Sequence, residues 1–436
     1  MIAVFVIGYL LIALEHPLQI NKATFTLVMC GALWTIYTLL SGDTEVHEHL
    51  IYYLGDTCEI VVFLICAMTI VELIDRYGGF DFITRKLNVK NKVKLMWVLV
   101  IVTFFMSALL DNMTTSIIIV MMLRRLLNDQ KDRWLFAGVI VLAANSGGAW
   151  SPIGDITTIM LWMADKVTTG HLIGKLLLPS IVSVVVPTLI ATRFIKNGDV
   201  MTPKTSDRVN RLAQEHPHLS KWILGFGIVC LLFVPLFKAL TGLPPFMGMI
   251  ISLGMIWLAT EIVIRKLRID KILGGRVSQA VRNIDMPTII FFLGIMMSVS
   301  ALQQAGILSN LAIVMNDKFH EPFLITTLIG GMSSIVDNVP LVSVCIKMFS
   351  DASIITSMSP DYAVNFQQDG LFWHLLTFTS GVGGSLLIIG SAAGVVAMGI
   401  EKISFGWYFK HITLLALIGY LAGIAVIALE NSLHLL

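Results

Sequence analysis

The residues best suited to chemistry lie in two short polar stretches within apolar sequence. The stretch "SALLDNMTT" covers residues 107–115, and "SSIVDNVPL" covers residues 333–341. Each carries an aspartate followed by an asparagine, at Asp111–Asn112 and Asp337–Asn338. A carboxylate at the depth of a bilayer costs roughly 2.5–3.5 kcal/mol or more, so its presence there indicates a function. Carboxylate, amide and hydroxyl oxygens are hard ligands that suit an alkali cation.

Two further stretches combine polar residues with paired glycines. They are "AANSGGAWSPIGDITT" at 143–158, which contains a third carboxylate, Asp155, and "TSGVGGSLLIIGSAAG" at 379–394. Glycine pairs and a Ser-Pro step disfavour a continuous helix, so each stretch is predicted to be a broken helix. An unwound segment leaves backbone carbonyls free to join the side chains as cation ligands.

A buried carboxylate is a group for which protons and cations compete. Burial favours its protonated form, whereas a bound cation favours the anion. This competition is sufficient for exchange if the protein moves only with one or the other bound. The alternative for Asp111, Asp155 and Asp337 is that each caps the helix that follows it, a role compatible with cation binding. The four stretches contain no Lys or Arg, which an anion carrier would be expected to offer.

The composition places these stretches in a membrane. Of the 436 residues, 56% are hydrophobic and 13% are charged, and the mean hydropathy is +0.84. Soluble domains carry about 25% charged residues, so the chain is predicted to be a polytopic membrane protein. It has no basic tract with interleaved aromatics, the pattern of nucleic-acid binding. The five scattered cysteines are interpreted as small buried hydrophobes.

The apolar runs and the distribution of Lys and Arg predict a topology. Runs of about membrane length lie at 2–15, 23–40, 59–74, 134–165, 176–195, 222–240, 246–264, 286–302, 371–400 and 408–430. Lys and Arg concentrate in loops that are therefore predicted to be cytoplasmic, at 75–94, 124–133, 193–221 and 265–282. The loops at 41–58 and 351–370 lack both residues and are predicted to be external.

Stretch 95–123 is predicted to be a re-entrant hairpin. Basic loops flank it on both sides, so both of its ends should be cytoplasmic. Two complete spans would need about 40 residues, and this stretch has 29. A hairpin with its tip near Asp111 satisfies both constraints. Stretch 322–350 is predicted to form the equivalent hairpin from the external side, with its tip near Asp337.

The motifs recur in the same order in the two halves of the chain. The hairpin motifs are 226 residues apart and the broken-helix motifs 236 apart, which aligns Asp155 with Ser391. The repeats are 1–195 and 222–436, joined by a cytoplasmic linker at 196–221. Five spans per repeat is an odd number, so the second copy lies inverted. The predicted fold is an all-α polytopic membrane protein with two inverted-topology repeats, each of about five spans, one re-entrant hairpin and one broken helix.

The motifs as a set resemble one known family. "ALEHPLQINKA" at 13–23, "SALLDNMTT", "SPIGDITTIMLW" and "SSIVDNVPLV" are similar to the NhaD-type sodium/proton antiporters. These belong to the ion transporter superfamily, with arsenite permeases and dicarboxylate carriers. The resemblance implies a scaffold and a mobile transport domain, commonly in a homodimer, and exchange of cytoplasmic Na⁺ or Li⁺ for external protons. It also implies ion-binding roles for Asp111, Asn112, Asn145, Asp155, Thr157 and Thr158, with Ser333, Asn338, Ser380 and Ser385 as matching polar positions in the second half.

The sequence therefore predicts a Na⁺(Li⁺)/H⁺ antiporter, a secondary transporter and not an enzyme, in a bacterial inner membrane with both termini external. No cofactor is expected; the partners are Na⁺ or Li⁺, protons, the lipid bilayer and a second copy of the chain. Asp111 and Asp155 are predicted to titrate and to bind Na⁺. The predicted Na⁺ shell is Asp111, Asn112, Asn145, Asp155 and Thr157, with Asp337 as a further candidate.

Other functions are less consistent with the residues. A transporter of the same fold could carry a small anion such as a dicarboxylate or arsenite. An intramembrane aspartyl protease would use paired aspartates, but its GxGD motif is absent, since the residues before Asp155 read "PIG". An ATP-driven pump is disfavoured because the nucleotide-binding motif GxxxxGK[ST] does not occur in the sequence. His374, next to Trp373, is interpreted as marking the membrane interface, with proton relay as the alternative.

Overall fold

The computed structural model is helical throughout its regular secondary structure. It describes residues 1–14, 18–79, 89, 91–195, 217–267, 277–308, 310–311, 321–335, 338–349 and 359–433. Most of the predicted linker and the predicted site residue Asp337 lie outside the described residues.

The first half of the chain includes two short helices, which are the arms of the predicted hairpin, and a helix that is broken in the middle. They are α1 (Ile2–Ala13), α2 (Lys22–Ser41), α3 (Val46–Arg76), α4 (Lys92–Ser107), α5 (Asn112–Leu126), α6 (Gln130–Ala149), α7 (Ile156–Met163) and α8 (Thr169–Thr192). The second half has a corresponding order. Its helices are α9 (Pro217–Thr241), α10 (Pro245–Leu267), α11 (Val277–Asn283), α12 (Met286–Gln304), α13 (Pro322–Ser333), α14 (Asn338–Met348), α15 (Pro360–Ala363), α16 (Leu371–Gly383), α17 (Ala392–Glu401), α18 (Phe405–His411) and α19 (Thr413–Ser432).

Within the described residues, seven helices are long and apolar enough to cross a membrane, namely α2, α3, α8, α9, α10, α12 and α19. They correspond to seven of the ten predicted spans. The predicted spans 134–165 and 371–400 are each divided into two helices, and α1 has only 12 residues. The prediction of an all-α polytopic membrane protein is confirmed.

The largest difference between a predicted span and the structure is at the start of α3. The span predicted at 59–74 begins at Val46 and includes much of the predicted loop 41–58. The first turn of this helix carries the polar residues His47, Glu48 and His49, which interrupt the apolar pattern. The helix has 31 residues, or about 46 Å at 1.5 Å per residue, whereas the hydrocarbon core is about 30 Å thick. Its first turns therefore extend beyond the apolar layer and tolerate polar residues.

The arms α4 and α5 form a hairpin whose two ends lie together. Lys92 Nζ, at the start of α4, lies 2.7 Å from Asp132 Oδ2, at the start of α6. The Arg133 guanidinium donates hydrogen bonds to the Leu127 and Asn128 carbonyls, just after α5, at 3.2 and 2.8 Å. The start of α4, the end of α5 and the start of α6 are therefore neighbours, and the turn at 108–111 is the opposite end.

Each hairpin is bonded to the broken helix of its own half in the same way. Ser107, the last residue of α4, donates its hydroxyl to the Ala144 carbonyl of α6 at 2.6 Å. Ser333, the last residue of α13, donates its hydroxyl to the Ser380 carbonyl of α16 at 2.8 Å. The two bonds are related by the offsets found in the sequence. They support the repeat, while its inverted orientation stays a prediction.

Close backbone packing at the same interface requires glycine. A Cβ atom at Gly147 would overlap the Phe104 carbonyl of α4. A Cβ atom at Gly383 would overlap the Gly330 carbonyl of α13. The first glycine of each pair is therefore explained by the close approach of the hairpin arm, and the second, Gly148 or Gly384, faces the unwound segment of its own broken helix.

We expect Gly383→Ala to destabilise the protein, because the added methyl group meets backbone that cannot rotate away. Overpacking of this kind costs about 1–3 kcal/mol. The measurement is the midpoint of thermal unfolding of the detergent-solubilised protein. Gly174→Ala is the matched control, since Gly174 is also helical and a Cβ atom there meets no atom within 4 Å. An equal midpoint for both variants would contradict the packing argument.

Single cysteines introduced at Lys94 and Gln130, in a background without the native cysteines, should react with an impermeant thiol reagent from the same side of the membrane. Both positions are exposed and lie at the neighbouring starts of α4 and α6. Thr44→Cys, before α3, should react from the other side, because α3 crosses the membrane. Labelling of positions 94 and 130 from opposite sides would contradict the hairpin.

Candidate cation site

The polar motifs come together where helices end in the interior. The first broken helix stops at Ala149 and resumes at Ile156, and the second stops at Gly383 and resumes at Ala392. The second arm of each hairpin packs against the broken helix of the other half: α5 contacts α17, and α14 contacts α7. Helix starts carry partial positive charge and helix ends carry partial negative charge. The region therefore offers partial charges of both signs without a basic side chain.

The amide of Asn145 connects the two halves. Its Nδ2 donates to Ser385 Oγ and to Ser391 Oγ, each at 2.8 Å. Its Oδ1 accepts from Asn112 Nδ2 at 3.1 Å. All four side chains are buried. One side chain of α6 thus joins the tip of the first hairpin to the unwound segment of the second broken helix.

The carboxylate of Asp155 forms a second cluster with the other hairpin. Its Oδ2 lies 3.4 Å from Asn338 Nδ2, at the start of α14. Asp155 is 3% exposed. The same oxygen is 3.5 Å from the position that a Cβ atom at Gly381 would occupy, so the carboxylate reaches α16. The Thr157 hydroxyl, two residues along, is buried and has no hydrogen-bond partner among the described residues.

Capping differs between the aligned positions Asp155 and Ser391. Both precede the first residue of a helix. Ser391 Oγ accepts from the Gly394 amide at 3.2 Å, a normal cap. Asp155 makes no such side-chain cap bond to α7. Its carboxylate is instead directed across the interface, so capping does not explain an aspartate at this position.

Asp111 does cap the helix that follows it. Its Oδ1 accepts from the Thr114 amide at 2.7 Å. With Asn112 and Thr114 it lines a cavity of about 220 Å³, whose other walls include Glu72 of α3 and Asp285 before α12. Capping uses one carboxylate oxygen, and the cavity gives small ions access to this tip.

The remaining predicted residues have more local roles. Thr158 donates to the Gly148 carbonyl at 3.5 Å, across the break between α6 and α7. Ser380 donates to the Thr377 carbonyl at 3.4 Å and accepts through its backbone from Ser333. Ser391 was absent from the predicted set, although its alignment with Asp155 in the repeat was a signal that pointed to it.

The donors suit a monovalent cation. Among the described side chains of the two clusters there is no Lys or Arg, and the polar atoms belong to amides, hydroxyls and the Asp155 carboxylate; Asp337, next to Asn338, lies outside the described residues. Within the described part of the chain, no three His, Cys, Asp or Glu side chains are grouped as a metal site would require. Hard oxygen ligands of this kind match an alkali ion better than a transition metal.

Comparison with known proteins identifies the family. Residues 9–366 match the family model CitMHS, described as citrate transporter. Sodium/proton antiporter 1 of Arabidopsis thaliana is 40% identical over 437 residues, covering 100% of this chain and 73% of that protein. Na(+)/H(+) antiporter NhaD of Vibrio cholerae is 30% identical over 461 residues, covering 98% of this chain and 91% of that protein. The chain therefore belongs to the CitMHS family of membrane transporters, in the ion transporter superfamily.

Proposed function

We propose that this protein exchanges Na⁺ or Li⁺ for H⁺ across the membrane. The main support is the buried interface of hairpin tips and broken helices, where the Asp155 carboxylate lies among amide and hydroxyl groups of the described residues. The relatives named sodium/proton antiporters match the chain over its whole length. Both lines of support are independent of the membrane orientation.

The proposed shell for the cation draws on both clusters. Asp155, Thr157 and Asn338 supply the charged part, and Asn112 and Asn145 supply amide oxygens beside it. Buried polar atoms in proteins nearly always have a partner, and the Thr157 hydroxyl has none among the described residues. A cation bound to the Asp155 carboxylate and to this hydroxyl would give the Thr157 oxygen a partner.

The exchange chemistry follows from charge. A buried carboxylate is costly when empty and negative, and either a proton or Na⁺ removes that cost. If the protein moves only when Asp155 is neutralised, the two ions take turns on the same group. Asp111, in the cavity at the first hairpin tip, is proposed as the second titrating ligand.

Alternating access is proposed as the transport mechanism. The cavity at Asp111 separates the first hairpin from α3. Two ion pairs join other parts of the hairpins and broken helices to the surrounding helices: Lys238 of α9 lies 2.7 Å from Asp165 Oδ1, after α7, and Lys347 of α14 lies 3.5 Å from Asp56 Oδ2 of α3. Breaking these contacts while closing the cavity would change access from one side to the other, by rocking or by an elevator shift. The inverted repeats 1–195 and 222–436 are part of this proposal.

A small carboxylate anion is the second candidate substrate, because the matching family model is described as a citrate transporter. Helix starts at the site could hold a carboxylate. The absence of Lys and Arg from both clusters favours the cation, since an anion would add charge beside Asp155 without a counter-ion.

The proposed location is the plasma membrane of a bacterium, with the basic loops cytoplasmic and both termini external. The homodimer implied by the family resemblance stays a prediction.

Reconstituted protein tests the proposal directly. Proteoliposomes with an acidic interior and an internal pH dye should lose protons when Na⁺ or Li⁺ is added outside, and should not respond to K⁺. Uptake of radiolabelled citrate should equal that of protein-free liposomes. Citrate uptake without Na⁺-dependent proton movement would overturn the proposal in favour of the anion.

Asp155→Asn should abolish Na⁺-dependent proton movement, because an amide neither titrates nor carries the charge that binds the cation. The dye assay measures the rate, and gel filtration checks folding. Asp129→Asn is the matched control: Asp129 caps α6 at its exposed start, accepting from the Lys131 amide at 2.9 Å, and Asn caps equally well. Exchange by folded Asp155→Asn at the control rate would show that Asp155 is not the titrating ligand.

Asn145→Ala should weaken cation binding. It leaves Asn112, Ser385 and Ser391 without their shared partner, and an unsatisfied buried group costs about 1–3 kcal/mol. We expect the Na⁺ concentration for half-maximal exchange to rise about tenfold or more, which corresponds to about 1.4 kcal/mol. Asn128→Ala, at an exposed position before α6, is the control. An unchanged half-maximal concentration would exclude this network from the site.

A further inference from the structure

A second polar cavity lies away from the cation site. It has a volume of about 280 Å³ and is lined by His171 and Lys175 of α8, Asp369 before α16, His374 of α16 and Asn431 at the end of α19. Asp165, which pairs with Lys238, precedes α8 by a few residues. This cavity therefore lies near the ion pair of Lys238 with Asp165. It is separate from the cavity beside Asp111.

His374 is the buried titratable group of this cavity. It is 2% exposed, so it does not mark the membrane interface as the sequence suggested. Its Nε2 has no hydrogen-bond partner among the described residues. The nearest carboxylate oxygen is Asp369 Oδ1, at 4.0 Å. An imidazole in this position is placed to take up a proton and to be stabilised by the carboxylate.

Asp369 is held in its ionised form by several donors. Its carboxylate accepts from the Thr168 amide at 2.6 Å and the Thr168 hydroxyl at 2.8 Å, and His171 Nδ1 is 2.8 Å away. Burial alone would raise the pKa of Asp369, but these hydrogen bonds outweigh it and hold the pKa below its usual value. A negative charge therefore faces His374 near neutral pH.

The other charged groups around His374 oppose its protonation or are remote from it. His171 and Lys175, on α8, face it as positive or titratable groups. Lys166, before α8, lies over the ring of Trp373 at 4.9 Å. Glu430 of α19 interacts with Lys175. Burial of the imidazole opposes its charged form most strongly, and the cationic groups add to this effect, whereas Asp369 is the nearby charged group that favours a proton on His374.

His374 shares a face of α16 with the cation site. Positions 374, 377 and 381 are spaced i, i+3 and i+7, which is one face of a helix. Gly381 is the position beside the Asp155 carboxylate, and Thr377 between them is buried. Seven residues correspond to about 10 Å along the axis. The imidazole therefore lies about two turns from the cation cluster.

We propose that His374 is the proton-binding site through which external protons enter the exchange. The inference rests on the proposed function. Neutral His374 accepts a proton at Nε2 from water in the cavity, is stabilised as a cation by the Asp369 carboxylate, and later releases the same proton from Nε2 to water, which carries it towards the central site. It then returns to its neutral form, so no net charge stays on the relay after each cycle.

His374→Gln tests the inference, because glutamine is polar but does not titrate. In proteoliposomes, Na⁺-coupled proton movement driven from the His374 side should slow about tenfold or more, the minimum expected from removing a positioned proton-transfer group. Exchange of radiolabelled Na⁺ for unlabelled Na⁺, which needs no proton, should be unchanged. That second measurement also shows that the variant is folded. His411→Gln, an exposed histidine on α18 stacked on Trp407, is the control.

Asp369→Asn provides a second variant that keeps an acceptor for Thr168 while removing the charge. The external pH at which exchange is half-maximal should fall, since a neutral amide no longer favours the protonated imidazole. A His374→Gln protein with the wild-type proton-coupled rate and pH profile would overturn the inference while leaving the proposed function intact. If the wild type shows Na⁺/Na⁺ exchange and no proton movement, both the antiport proposal and this inference fail.

Discussion

The bridging amide of Asn145 is the interaction on which the arrangement of the site depends. Its three bonds hold the first hairpin tip and the second unwound segment to one point of α6. Without water or lipid to satisfy them, these buried groups need one another. The helix breaks would otherwise leave polar atoms unpaired in the apolar layer. The site is therefore assembled only when the two halves of the chain meet.

The need to pair buried polar atoms also explains why the second arm of each hairpin packs against the other half of the chain. Each hairpin is fastened to its own broken helix by a serine hydroxyl, at Ser107 and Ser333. Its second arm then faces the broken helix of the other half. Oxygen ligands from both halves thereby surround one region, and the hairpins and broken helices form a single packed unit. In the proposed mechanism, this unit moves against α3 and α9 while the contacts within it are kept.

The hairpin and the two helix breaks were predictable from the sequence. Basic flanks and insufficient length predicted the hairpin at 95–123, and glycine pairs predicted both breaks. The start of α3 at Val46 was not predicted, because its first turns carry polar residues and do not continue the apolar run. The partners of Asn145, the burial of His374 and the direction of Asp155 could not be predicted, because each depends on which helix packs against which. Periodicity and charge counts contain no information about that pairing.

The alignment of Asp155 with Ser391 has a consequence for energetics. Two aligned aspartates would place two negative charges in one buried region, where like charges repel strongly. The serine instead caps its own helix and accepts from Asn145, while the Asp155 carboxylate faces Asn338 across the interface. In the proposed exchange, the charge of Asp155 is neutralised by one proton or by one Na⁺. The two loaded forms of this position then have the same net charge, and the empty form is the one that is costly to move.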